Sequence, residues 1–235
     1  RLATKGIEKA VLEYLAVLGI SENADELGKL ISSAYTGSKN LADASRQLVN
    51  SLFEEYGLVI LDADDRRLKK EFSEIIAKDI TGQHSFRTIT ETNLKLAEKG
   101  IEAQVNPREI NFFYLLDGLR ERIVFEEDLY RVLNTEISFS KEELLTEIKD
   151  NPERFSPNVV MRPLYEEVIL PNLAYIGGGA EIIYWLQLKQ NFEYYGVDFP
   201  ILLLRNSAIF ASLNLETKLN RLDLNIKDIF KNSEV

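Results

Sequence analysis

The chain has 235 residues, a formal net charge of −10, one histidine and no cysteine. Hydrophobic residues make up 45% and charged residues 28%, a balance that excludes a disordered polymer and allows one large or two small domains. The acidic excess argues against nucleic acid, which is gripped by clustered cations, and the missing cysteines exclude disulfides, thiolate metal sites and a thiol nucleophile from the chain itself.

No run of 18 apolar residues exists, so no membrane span is expected, and a reducing, cytoplasmic location fits the composition. The only methionine is Met161, and Arg1 already stands in what reads as a helix, so a fragment of a longer protein is expected.

Apolar residues at Ile7, Val11, Leu12, Leu15 and Leu18 recur at helical spacing, and Gly19 ends the pattern. Leu27 to Ala34 and Leu41 to Phe53 continue the same period, which predicts a helical segment over residues 1–55. Leu58 to Leu61 is a short continuous apolar run closed by Asp62, as in a buried strand, and an amphipathic stretch follows to Ala77. Thr88 to Lys99 predicts a helix, Ile101 to Val105 a strand, and Asn111 to Leu116 with Arg122 to Phe125 a hairpin turned by Asp117-Gly118.

Ser140 and Glu143 form a capping-box pattern, which predicts a helix from Lys141 to about Lys149, stopped by Pro152. Leu173 to Ile176, the triplet Gly177-Gly178-Gly179, Ala180 to Tyr195 and Phe199 to Leu204 read as strand, turn, helix and strand, the clearest βαβ unit in the chain. The expected fold is therefore α/β: a Rossmann-like parallel sheet core with flanking helices and a small hairpin insertion over 56–235, behind the helical N-terminal segment.

Gly177, Gly178 and Gly179 let the backbone turn tightly, and the helix start that follows offers free N–H groups to an anion. The triplet matches only part of a dinucleotide fingerprint, because Ile182 stands at the third glycine position, so plain strand-to-helix packing is the competing reading. Glu181 in the first helical turn could complement the dipole, compete with a phosphate, or meet an amine or hydroxyl of a substrate.

Arg162 lies in an apolar neighbourhood and needs a carboxylate, a phosphate or several carbonyls; a structural ion pair is its commoner use. Arg205 closes the Ile201 to Leu204 strand and could face the crevice of the glycine turn, where two arginines would suit an acidic small molecule. Asn111, before the aromatic run Phe112-Phe113-Tyr114, and Asn158, four residues before Arg162, are the amide candidates, with turn capping as the alternative for Asn111. His84 carries no assigned role, no catalytic residue is assigned, and the carboxylate spacing supports no metal site.

Several segments together resemble the bacillithiol-biosynthesis cysteine-adding enzymes, the BshC family: Gly57 to Asp62, Asn106 to Tyr114, Phe155 to Tyr165, Leu170 to Glu181 and Pro200 to Arg205, in the family's order. The combination of Ser156-Pro157-Asn158 with Arg162-Pro163-Leu164, and of the glycine turn with Glu181 and Tyr184-Trp185, carries the resemblance. It implies a Rossmann-like core with a coiled-coil arm, a homodimer of the full-length protein, and attachment of cysteine to glucosaminyl-malate in the last step to bacillithiol, with ATP as a candidate cofactor.

The family's upstream Thr-Gly-His-Gln and Glu-Asp-His-Asp stretches have no counterpart, since Thr81-Gly82-Gln83-His84 only permutes the first, and the later coiled-coil part is missing after Val235. The fragment alone is thus expected to be inactive. Gly179 stands where many relatives read Pro-Gly around the turn, which leaves the turn intact. The rival expectation is a noncatalytic nucleotide- or metabolite-binding Rossmann-like module.

Overall fold

The structure is a computed structural model and describes residues 6–208, 210 and 212–231; the helix expected at Arg1 lies outside them. Three helices, α1 (Glu8–Leu18), α2 (Ala24–Gly37) and α3 (Leu41–Phe53), build the front of the chain around buried Val11, Ile31, Ala34 and Ala44. Gly19 ends α1 at φ 69°, a left-handed angle that costs glycine nothing, and the Asn40 side chain caps α3 by accepting from the Asp43 N–H.

The amphipathic stretch after Asp62 becomes two helices, α4 (Arg66–Glu71) and α5 (Ser73–Gly82), broken at Phe72, and α6 (His84–Ala97) follows. Five strands then form one antiparallel sheet: β1 (Phe112–Leu116), β2 (Leu119–Glu126), β3 (Leu129–Val132), β4 (Ser138–Phe139) and β5 (Phe155–Pro157), in the order β4-β3-β2-β1-β5. Strand β2 serves two ladders. Its first half pairs with β1, Phe113 opposite Arg122, and its second half with β3, Ile123 opposite Val132.

Helix α7 (Lys141–Asp150) lies between β4 and β5 and starts with the capping box, Ser140 Oγ accepting from the Glu143 N–H and Glu143 returning to the Ser140 N–H. After β5 come α8 (Arg162–Ile169), β6 (Ala174–Gly177), α9 (Gly179–Tyr195), β7 (Ile201–Leu204) and α10 (Leu213–Arg221).

The expectation of a parallel sheet core holds only for β6 and β7, which pair in parallel from Ala174–Ile201 to Gly177–Leu204. The larger sheet is antiparallel throughout. Connection length is the reason: the β1–β2 link is Asp117-Gly118 and the β2–β3 link Glu127-Asp128, and two residues can return a chain only antiparallel, whereas β6 and β7 are separated by a whole helix. Mixed helix and strand content keeps the fold α/β.

Leu58 to Leu61 and Ile101 to Val105 form no strand. Leu58, Val59 and Leu61 are exposed, and no strand among the described residues lies beside them; an apolar run without neighbours has no ladder to join.

The main core joins the sheet to the helices through Phe72, Ile76, Ile89, Phe112, Leu144, Trp185 and Phe192. Two of the polar insertions that cross it bear on the site. Lys69, 1% exposed, donates from Nζ to the Phe155 carbonyl at 2.8 Å and stands 3.7 Å from Asp64, so that burial pulls its pKa down while the Asp64 carboxylate pushes it back up.

The second insertion is a continuous chain of hydrogen bonds. Asp79, wholly buried on α5, accepts from the Ser85 N–H and hydroxyl, each at 2.8 Å, and from the Tyr195 hydroxyl at 2.9 Å. Asn111 donates to Ser85 Oγ at 2.8 Å, and Asn158 donates to Asn111 Oδ1 at 2.9 Å.

Burial raises the Asp79 pKa above its ordinary 3.8. Between that value and the raised one the folded chain binds the extra proton, so this group's contribution to stability grows as pH falls through the window. Urea titrations from pH 4 to 7 should therefore show the wild type gaining on Asp79→Asn toward acid. Asp79→Ala, which strands three donors, should lower stability by about 3 kcal/mol or more.

Candidate functional site

The glycine turn sits where β6 hands over to α9, at the carboxyl ends of the two parallel strands. In open α/β sheets that is the ligand-binding end. Gly177 is buried and paired with Leu204, and its carbonyl accepts from the Arg205 N–H at 2.8 Å, so the turn and the end of β7 are one unit.

The glycines are not equivalent. A Cβ on Gly177 would stand 2.8 Å from Tyr175 Cε1, on a ring packed at a tilt against Trp185 with centroids 4.3 Å apart, and 3.1 Å from Glu181 Cβ. On Gly178 it would stand 3.2 Å from Arg205 Nη2, which places that guanidinium against the turn. Gly179, exposed at the start of α9, has nothing within 4 Å of such an atom.

Glu181 reaches back and accepts from the Gly178 N–H at 2.6 Å. This is half a capping box, because Gly178 has no side chain to return the bond. The carboxylate thus occupies the place at the helix start where an external anion would sit, and an incoming phosphate or carboxylate must displace it.

Arg162 opens α8, with its side chain 51% exposed, and pairs with Glu166 one turn on at 2.6 Å. It also bonds the Tyr184 hydroxyl, which donates to the Val159 carbonyl. Burial pushes the Tyr184 pKa up to about 12 against the opposing pull of Arg162, so the hydroxyl keeps its proton at neutral pH. Arg162 is therefore linked to α9 one turn beyond Glu181, through a tyrosine that sequence reasoning did not single out as a contact.

Asn158 caps the turn into α8, Oδ1 accepting from the Val160 N–H at 2.8 Å. Asn111 is fully buried: its Oδ1 accepts from the Arg108 N–H and from Asn158, and its Nδ2 donates to Ser85 and to the Arg108 carbonyl. Its four hydrogen-bonding positions are filled from within. The structure thus brings Gly177, Gly178, Gly179, Glu181 and Arg205 together, sets Arg162 nearby on α8, and runs Asn158 and Asn111 inward from the α8 start.

His84 stacks on Tyr194 with ring centroids 4.1 Å apart and contacts Arg87 at 2.9 Å. Among the described residues no group of three or more His, Asp or Glu side chains is placed to hold a metal ion, and no helix is long and apolar enough to cross a membrane.

A family model described as "Bacillithiol biosynthesis BshC, N-terminal Rossmann-like domain" matches residues 1–206. The chain belongs to the BshC family. A protein of Flavobacterium johnsoniae named "Putative cysteine ligase BshC" is 51% identical over 234 residues, 100% of this chain and 44% of the relative. Proteins with the same name in Flavobacterium psychrophilum and Shouchella clausii are 49% and 30% identical, over 100% and 93% of this chain and 44% and 41% of their own lengths. The chain spans less than half the length of these BshC relatives.

The glycine geometry separates two substitutions. Gly177→Ala should lower stability by about 1–3 kcal/mol, because the Tyr175 ring is pinned by Trp185 and must yield. Gly179→Ala, in open space at a helical position, should leave it unchanged or raise it by about 0.5 kcal/mol. Thermal melts of the two variants check the contrast.

Proposed function

We propose that this chain forms part of a cysteine ligase that joins the carboxyl group of cysteine to the amine of glucosaminyl-malate, the last step of bacillithiol biosynthesis. The observation that carries the reading is the family match over residues 1–206, and the relatives' name supplies the cysteine. The strand-end site supports the acidic partner: the Arg205 guanidinium lies against Gly178, and Arg162 stands on the neighbouring helix. Malate carries two carboxylates, and guanidinium groups hold carboxylates in paired, charge-assisted bonds.

In this reading Gly177, Gly178 and Gly179 bring backbone close to the ligand, and Glu181 is the built-in competitor that leaves when substrate or nucleotide arrives. Asn158 and Asn111 act from behind, holding the start of α8 and with it Arg162. Joining a free carboxylate to an amine requires activation, so ATP is proposed as the cofactor. The whole ligase is proposed as a homodimer working in the cytoplasm.

A second reading, a noncatalytic metabolite-binding module, draws on Glu181, which already satisfies the Gly178 N–H and makes the site self-contained without a ligand.

The deciding experiment incubates the complete ligase with cysteine and glucosaminyl-malate, with and without ATP, and follows the thiol product by mass spectrometry. Product is expected with ATP, and none under either condition would favour the binding module. In calorimetric titrations of glucosaminyl-malate, Arg205→Ala should weaken binding about ten-fold or more, as expected for loss of a charge-assisted contact.

A further inference from the structure

A cavity of about 780 Å³, separate from the glycine turn, opens beneath the tip of the β1–β2 hairpin. Its walls are Leu115 to Arg120 from the hairpin, Asp64 from the loop before α4, and Glu153 and Arg154 from the turn before β5, with Ser156 on β5 itself. The walls are anchored. The Tyr165 hydroxyl donates to the Ala63 carbonyl at 2.8 Å and ties the Asp64 loop to α8, and buried Lys69 braces the same loop against β5.

The charges on this lining divide into those already spent and those not. Arg154 is taken by Glu147 at 2.7 Å, Glu153 faces Arg66 at 3.3 Å, and Asp64 faces Lys69 at 3.7 Å. Two remain at the hairpin tip. Arg120 has no carboxylate partner among the described residues; its guanidinium carbon stands over the Phe113 ring, 3.7 Å from the centroid, a contact with the ring face that uses none of its N–H groups on a carboxylate. Asp117, exposed, has no hydrogen bond or ion pair among the described residues.

One unspent cation and one unspent anion on the same wall, among Leu115, Leu116 and Leu119, match a ligand that carries one of each with a short, uncharged side chain. We propose that this cavity binds a small α-amino acid as its zwitterion, Arg120 holding the carboxylate and Asp117 the ammonium. Resting on the function proposed above, the amino acid is cysteine. The acidic partner then occupies the strand-end site and the amino acid the hairpin cavity, at opposite ends of the segment that runs from β5 through Asn158 into α8.

The test is calorimetric titration of the chain, kept reduced, with L-cysteine, with cysteamine, which lacks the carboxylate, and with 3-mercaptopropionate, which lacks the ammonium. Cysteine should bind about ten-fold or more tightly than either. Arg120→Ala should bind cysteine as weakly as the wild type binds cysteamine, and Asp117→Asn should remove the preference over 3-mercaptopropionate, with circular dichroism and melting temperature reporting that both variants fold.

Equal binding of the three compounds, unchanged cysteine affinity in Arg120→Ala, or no binding of cysteine to the folded wild type would overturn the proposal. The ligase assay separates the two ideas. Product formation with an unchanged KM for cysteine in Arg120→Ala rejects this cavity and leaves the ligase standing. Arg120-dependent binding without product keeps an amino-acid site and rejects the ligase.

Discussion

The structure depends on how it meets the cost of a carboxylate placed in its interior. Asp79 is wholly buried without an ion-pair partner among the described residues, and three donors from Ser85 and Tyr195 hold it. Burying an ionisable group is tolerated when its hydrogen-bonding capacity is filled. Here that filling draws α5, α6 and α9 together, and through Asn111 and Asn158 it reaches β1 and the start of α8. The placement of Arg162 is a consequence of this internal polar chain.

Lys69 does the corresponding work on the other side of the core. Its ammonium bonds a carbonyl of β5 and faces the Asp64 carboxylate, and the Tyr165 ring lies 5.2 Å away. The loop before α4 is thereby fixed to the sheet and to α8 together. Both polar insertions end at β5 and the segment after it, so the short strand Phe155–Pro157 connects the hairpin side of the molecule to the glycine-turn side.

Much of the local structure was legible where the signal is local. Ser140 and Glu143 announced their capping box, Asp117-Gly118 its hairpin, and the glycine triplet its strand-to-helix turn, because each depends on residues within a few positions. Leu58 to Leu61 misled, since an apolar run specifies burial but not the neighbour that would make it a strand. Strand β3 was missed because its turn is made by Glu127 and Asp128 at positive φ, 51° and 60°, where the usual glycine or asparagine is absent. At the site, Arg205 and the glycines could be placed from the strand ends, but the inward commitment of Asn111 and the tyrosine at Arg162 arise from pairings 22 to 47 residues apart that no spacing rule reports.

The two parallel strands leave one consequence for how the chain behaves in solution. Ile176, Ile201, Leu203 and Leu204 are all exposed along β6 and β7, and among the described residues no further strand pairs with either. Open strand edges beside bare aliphatic side chains invite copies to stack edge to edge. The net charge of −10 opposes this at neutral pH, and that protection fades toward the isoelectric point near 4.9. Mild acid should therefore turn the same face that borders the candidate site into a route to self-association.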